Sequence, residues 1–426
     1  MTADANAARR PWRLSVAVGI VLLNAAGVAA AQDDDWDDWG AESATQWSGY
    51  IESAYSTRLS ADPRFDSRAT RAELKGQVEV SHALDRLQLS GKLDVHADAV
   101  EDGLWVDVRE ALATLPLGAR ANLKLGRQVL SWGTGDLLFI NDRFPKDFVT
   151  PLAGGEDFYF KAPSNSARLA LSAPLFNIDL AYTPRFASDR YIDGERLGFF
   201  DSRSGQRVGG SDLIDAREPK ASLGNGEWGL RLHRTREGIE YAAYLYRGFD
   251  KQPLGADALG RPSHFQRDSA GFSIRAPLAG GIGSFETGRE WSGAELAQVA
   301  ARVPHKTSAM LGFEKEWLPK LTLGLQLYAE QHAREPGNAS PLNGEERQLV
   351  SLRISRQALR DRLNLSAIAF HSPNQHDRWL RVTLSHRLSD QWLLGASANV
   401  FGGRIDRFFG QLEDDSNAGV WVRRQF

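Results

Sequence analysis

Alternation of polar and apolar residues, repeated along the whole chain, is the feature that most narrows what this sequence can fold into. Residues 71 to 80 place Arg71, Glu73, Lys75, Gln77 and Glu79 on one parity and Ala72, Leu74, Gly76, Val78 and Val80 on the other. Residues 87 to 98 repeat the pattern, with Leu87, Leu89, Gly91, Leu93, Val95 and Ala97 set against Gln88, Ser90, Lys92, Asp94, His96 and Asp98. Successive side chains of a strand point to opposite faces, so each segment has one apolar and one strongly polar face. A soluble sandwich also alternates, but it rarely needs strands this long. A tilted strand crossing a bilayer takes about 9–11 residues.

Eighteen such segments lie near 46–57, 69–82, 86–98, 104–115, 121–132, 166–173, 176–184, 227–235, 238–249, 266–276, 281–290, 306–317, 320–331, 347–357, 361–371, 378–388, 391–402 and 417–426. Their connections alternate between long and short, the short ones including Ala83 to Asp85, Thr235 to Glu237, Leu318 to Pro319, Ala358 to Arg360 and Ser389 to Asp390. Bacterial outer-membrane barrels have an even strand count, short periplasmic turns and longer outer loops. The expected fold is therefore all-β: a single transmembrane antiparallel up-and-down β-barrel over residues 46–426, of about eighteen strands, with sixteen as the alternative count. Past the N-terminus no segment approaches 18 apolar residues, which excludes helical membrane spans.

The last strand reads GVWVRRQF and closes on Phe426, with Val422 and Val420 on its parity. Such a terminal aromatic resembles the signal read by the outer-membrane insertion machinery, the departure being Arg424 where that signal has an aromatic or aliphatic residue. Trp47, Trp105, Trp132, Trp228, Trp317, Trp379, Trp392 and Trp421 fall near strand ends, where they are candidates for the interfacial girdles that face lipid and lipopolysaccharide.

The N-terminus supplies the compartment. Residues 1–31 carry Arg9, Arg10 and Arg13, then an apolar run from Leu14 to Val28 and Ala29-Ala30-Ala31, the plan of a cleaved secretory signal peptide. The apolar run is shorter than the roughly 20 residues of a spanning helix. The formal charge of the whole chain is −3; the signal, with three arginines and Asp4, is +2, so the remainder is −5. Asp33, Asp34, Asp35, Asp37 and Asp38 account for all of it, which leaves the chain from Gly40 onward neutral. With Trp36 and Trp39 they make residues 32–45 an acidic leader, read either as a docking peptide for a periplasmic partner or as a solvated tail. A near-neutral chain lacks the basic excess of a nucleic-acid binder. The absence of cysteine excludes disulfide scaffolds, thiolate metal centres and thiol enzymes.

One internal stretch and the C-terminus carry a family resemblance. Residues 126–148, GRQVLSWGTGDLLFINDRFPKDF, with Gly126-Arg127-Gln128 and Trp132-Gly133, and the terminal FFGQLEDDSNAGVWVRRQF resemble porin-like barrels related to the alginate export porins. The resemblance implies an eighteen-strand barrel of the cell outer membrane that moves a solute or polymer, and it carries no substrate with it. Gly126 interrupts the alternation between Leu125 and Val129, which predicts a bulge turning Arg127 or Gln128 toward the lumen. The segment from there to Asn165, bearing Asp136, Asp142, Arg143, Lys146 and Asp147, either folds inward as a constriction or lies over the mouth. Pro184 to Gly226 competes for the plugging role.

Inward parity nominates Lys92, Asp94, His96, Arg109, Arg168, Arg231, Arg275, Arg353 and Arg381 for solute binding, together with Arg127, Gln128, Asp136 and Arg143. Rings of charge set selectivity in pores, and arginine pairs well with carboxylate or phosphate. The expected function is a porin-like channel for a polar solute with a modest anion preference. The alternative is a non-conducting barrel that docks an envelope complex through its acidic leader. An enzyme is not expected: Asp94, His96 and Asp98 could activate water, but no HExxH, GxSxG, phosphate loop or dinucleotide fingerprint occurs. No metal cluster or cofactor is expected either, since the nine histidines are scattered.

Overall fold

With polar and apolar residues on opposite faces, each segment satisfies its backbone by pairing edge to edge and its side chains by separating water from lipid. The computed structural model describes residues 45–202, 204–292, 299–301, 304–333 and 345–426. The signal peptide and the acidic leader, with Asp33 to Trp39, lie outside the described residues.

Eighteen strands form one closed antiparallel sheet. They are β1 (Thr45–Arg58), β2 (Ala69–Leu84), β3 (Leu87–Asp98), β4 (Gly103–Pro116), β5 (Ala121–Val129), β6 (Pro163–Leu171), β7 (Asn177–Thr183), β8 (Glu227–Arg236), β9 (Ile239–Phe249), β10 (Gln266–Leu278), β11 (Gly281–Ser292), β12 (Lys306–Leu318), β13 (Leu321–His332), β14 (Glu346–Ala358), β15 (Leu363–His371), β16 (Asp377–Arg387), β17 (Trp392–Gly403) and β18 (Asn417–Gln425). Each pairs with its sequence neighbours, and β1 pairs with both β2 and β18, so the sheet has no free edge. The seam ends on Phe426, whose N–H and carbonyl bond Gly49 at 3.0 Å each.

The outer face is apolar. Ile51, Tyr55, Leu74, Val78, Val95 and Val106 stand exposed, while Glu52, Arg71, Lys75 and Asp94 on the same strands are buried inside. A continuous belt of exposed large apolar residues around a closed barrel is a lipid-facing surface. Trp47, Trp228, Trp317 and Trp392 belong to it. Trp105, Trp132, Trp379 and Trp421 do not: Trp105 stacks on His96, Trp132 packs edge-on to Phe144, Trp379 is 4% exposed, and Trp421 lies under Arg423. For the three strand residues, parity places the ring in the lumen.

The bulge also lies elsewhere than expected. Pairing runs uninterrupted through Gly126 on both sides, whereas the β3–β4 register slips between Lys92 and Leu93 and leaves Arg109 as the extra residue. Gly126 has φ +132, and a Cβ there would collide with the carbonyl oxygen of Ala111 on β4. Glycine is therefore required by close approach beside the neighbouring bulge. Gly126→Ala forces a side chain into a conformation costing about 1–3 kcal/mol before the clash is added. The expected result is a barrel whose compact gel band disappears at a lower temperature than that of the wild type.

The apolar core sits inside the lumen. Residues 130–162, between β5 and β6, fold inward and carry a short helix, Val149–Leu152, and a 3-10 turn, Asp157–Phe160. Val149, Leu152 and Phe160 join Leu197 from the 184–226 segment and Phe409 and Leu412 from the last outer loop. Together they cover Leu349, Ile368, Phe370, Trp379 and Phe401 on the inner wall of β14 to β17. The two competing long segments thus both contribute to the plug, the first by filling the lumen and the second by packing onto it.

Candidate functional site

The inward segment is fastened to the wall on opposite sides of the lumen. On β11, Glu286 accepts hydrogen bonds from Thr134 Oγ1 (2.8 Å) and from the backbone and side-chain nitrogens of Asn141 (2.9 and 3.0 Å). On β14, Arg353 Nη2 donates to Asp136 at 2.9 Å. On β16, Arg381 donates to Asp157 (2.5 Å) and to the carbonyls of Pro151 (2.8 Å) and Gly155 (2.5 Å). On β17, Ser397 donates to Gly154 O and Asn399 to Pro151 O and Leu152 O. On β18, Arg423 pairs with Glu156. On the opposite wall Tyr159 donates its hydroxyl to Asp94 (2.6 Å), and Arg109 donates to Lys161 O (2.9 Å).

Six of the thirteen sequence-nominated binding residues serve as structural fasteners. Asp94, Arg109, Asp136, Arg353 and Arg381 hold the constriction, and Arg143 within it pairs with Glu290 of β11 at 3.0 Å. Gln128 faces the lumen, where it donates to Ser166 O (3.2 Å), while Arg127 takes the opposite parity and bonds Val108 O and Asp107. Lys92 pairs with Glu79 (2.5 Å), Arg168 with Asp179 (2.7 Å) and Arg231 with Glu240 (2.7 Å), all away from the constriction. Arg275 is exposed at the short-turn half of β10 and forms no ion pair among the described residues. His96 lies stacked on Trp105 at 5.0 Å. Asp94, 3.9 Å from the imidazole ring, accepts from Tyr159 and Asp98 accepts from Arg196 at 2.5 Å, so the two carboxylates pin loops to the wall.

What the fasteners leave open is a chamber of about 290 Å3 above the segment, at the long-loop ends of β11 to β16. One side carries Arg143, Glu290, Lys306, Glu330 and Arg347; the other carries Phe148, Phe160, Phe370, Trp379, Phe408 and Phe409. Sequence reasoning points to Arg143 but misses Arg347, Lys306, Glu290 and the aromatic wall. A signal for that wall exists: Phe370 and Trp379 occupy lumen parity, where most other strands place polar residues.

Two buried carboxyls tie the covering segment down. Asp189 accepts the Lys146 backbone N–H at 2.7 Å, and Asp415 accepts Arg58 Nε and Gly198 N at 2.8 Å each. Burial pushes both up from the ordinary 3.8 to about 6, although Lys146 and Arg58 pull the other way. A raised native value means that the folded form holds a proton the unfolded chain has lost, so this stabilising contribution is complete below the unfolded value and fades as pH climbs through about 6. Segment 184–226 is expected to fluctuate more at about pH 8 than at about pH 5, read as channel noise, and Asp189→Asn at about pH 8 is expected to be quieter than wild type.

No protein-family model matches the sequence, and no curated protein matches it. Solved structures do. OccAB3 of Acinetobacter baumannii matches at 9% identity and a TM-score of 0.54, over 90% of this chain and 99% of that one. OccAB1 of the same organism matches at 9% and 0.54, over 90% and 96%. OccK5 (OpdH) of Pseudomonas aeruginosa matches at 11% and 0.52, over 90% and 98%. At such identities the likeness is one of architecture: the chain has the fold of Gram-negative outer-membrane porin barrels.

Proposed function

We propose that this protein is a restricted channel of the outer membrane that passes small polar solutes. The observation that carries the reading is the inward segment itself, fastened to the lumen wall by ion pairs and hydrogen bonds and leaving a chamber of about 290 Å3. A lumen narrowed in this way favours a small solute over a polymer. The lumen cations are largely paired, so the anion preference is weak and rests on groups such as Arg275. The resemblance of residues 126–148 to the alginate export porins supports transport as the role. The signal-like N-terminus supports export, and Phe426, set at the seam, supports recognition by the insertion machinery. The girdle tryptophans support contact with outer-membrane lipid and lipopolysaccharide.

The same filled lumen favours a second reading, a non-conducting barrel that docks a periplasmic partner through Asp33 to Trp39. Planar-bilayer recording separates the two. Small conductance steps with a reversal potential near zero in a salt gradient are expected for the wild type. Silence from both the wild type and a variant lacking residues 134–158 would defeat the channel reading and favour docking.

A further inference from the structure

We propose that the chamber binds an uncharged polyhydroxylated solute, such as a sugar ring, an inference that rests on the channel reading and names its substrate class. The chamber lies on the long-loop side of the constriction, so a solute arriving from outside meets it first.

Its charged wall is balanced. Five cationic and five acidic side chains line the space. From β14 to β11, Arg347, Glu330, Lys306 and Glu290 alternate in sign on neighbouring strands, and Arg143 continues the row. Lys306 lies 2.9 Å from Glu290 and 4.0 Å from Glu330, and Arg143 lies 3.0 Å from Glu290. An ion entering this row would have to displace an existing partner, and the wall presents no net charge to compensate it. A hydroxyl adds without displacement, because it donates and accepts at once and carboxylates and guanidiniums keep spare sites beyond their ion pairs.

Two of those spare sites are specific. The Nε atoms of Arg143 and Arg347 are buried with no hydrogen-bond partner among the described residues. Buried donors ordinarily find an acceptor, so these N–H groups mark where a ligand oxygen belongs. Among the described residues Arg347 has one ion pair, a long one to Asp377 at 3.4 Å, and its guanidinium lies over the Phe409 and Phe408 rings at 5.3 and 5.9 Å.

The facing wall is aromatic. Phe370 and Trp379 stack at 5.3 Å and 8°, and Phe409 lies 5.6 Å from Trp379. A ligand that fills the chamber must therefore offer an apolar face to flat rings and a polar edge to balanced charges. A pyranose has this shape, with axial C–H groups on its face and hydroxyls around its rim. An aromatic anion would satisfy the rings but meet the Glu290 and Glu330 carboxylates beside the cations. The volume of about 290 Å3 sits at the small end of the roughly 300–1,000 Å3 typical of ligand pockets, which suits one or two such rings.

Calorimetric titration of the full chain in detergent with glucose, maltose and, as the anionic probe, benzoate tests the proposal without needing an open pore. Saturable binding of glucose or maltose is expected, with no benzoate binding. Arg347→Met is expected to weaken sugar binding about tenfold, the worth of one hydrogen bond to a charged group, and Phe408→Ala several-fold through the lost ring contact, while the compact gel band persists. Phe408→Ala keeps the test intact if Arg347→Met fails to fold. Binding of benzoate in place of the sugars, or of no probe, would overturn the proposal, as would sugar binding unchanged in both variants. A protein that binds sugar but never conducts would defeat the channel reading alone; one that conducts but ignores sugar would defeat the site alone.

Discussion

Arg381→Ala is expected to raise single-channel conductance several-fold while leaving the barrel itself folded. The guanidinium is 1% exposed and makes its bonds to the inward segment: Asp157 and the carbonyls of Pro151 and Gly155, with Asn399 beside it. Its removal takes the donor from the half-buried Asp157 carboxylate and from the Gly155 carbonyl, while Pro151 O keeps Asn399, and a lost hydrogen bond to a charged group is worth about 1.5–3 kcal/mol. That cost falls on docking of residues 149–160, because no strand-to-strand backbone bond is lost. Larger and noisier current steps, with unchanged heat-modifiable migration, are the expected readout. An unchanged conductance would mean that apolar packing of Leu152 and Phe160 holds the segment without the charge.

Glu52→Gln is expected to act on the barrel wall instead. Glu52 is fully buried at the seam, accepting from Arg71 of β2 at 2.6 Å and from Arg423 Nε of β18 at 3.0 Å, with Lys75 3.5 Å away. The amide keeps the shape and removes the charge, leaving three buried cations to share Glu73 and Glu156. About 3–5 kcal/mol of destabilisation follows from the loss of one partner in such a network. The temperature at which the compact gel band is lost should fall clearly, and adding salt should do little to imitate the effect, since buried pairs are poorly screened. A transition temperature equal to wild type would show that Glu73 and Glu156 suffice.

The strands are legible in the sequence because their physical cause is local: a side chain of either parity declares lipid or water within two residues. Tyr55, Leu74 and Val95 outside and Glu52, Lys75 and Asp94 inside follow that rule. The lumen is legible only in part. Asp136 and Arg353 lie 217 positions apart in sequence, and nothing local announces that they meet. Nor do Leu152, Phe160 and Leu197, set in loops without periodicity, announce a core. Position near a strand end makes Trp379 a girdle candidate, whereas its parity, the stronger signal, puts it inside. Gly126 stands out in the alternation for a reason the alternation does not contain, the approach of Ala111 on the neighbouring strand.

The internal core has a consequence for how the strands choose their partners. Over the outer halves of β14 to β17, Leu349, Ile368, Phe370 and Phe401 face inward while Val350, Ala369, Leu380 and Val400 face lipid, so both surfaces there are greasy. A one-residue slide elsewhere in the barrel would push charges into the membrane and is self-correcting. In this quarter the same slide would, apart from Arg347 and Arg381, exchange one apolar surface for another. Alignment there depends instead on a few polar locks, Trp379 Nε1 donating to Asn399 at 3.1 Å and Arg381 gripping the same amide at 3.2 Å. Asn399 is thus the residue that keeps neighbouring strands from sliding past one another where amphipathic patterning gives no instruction.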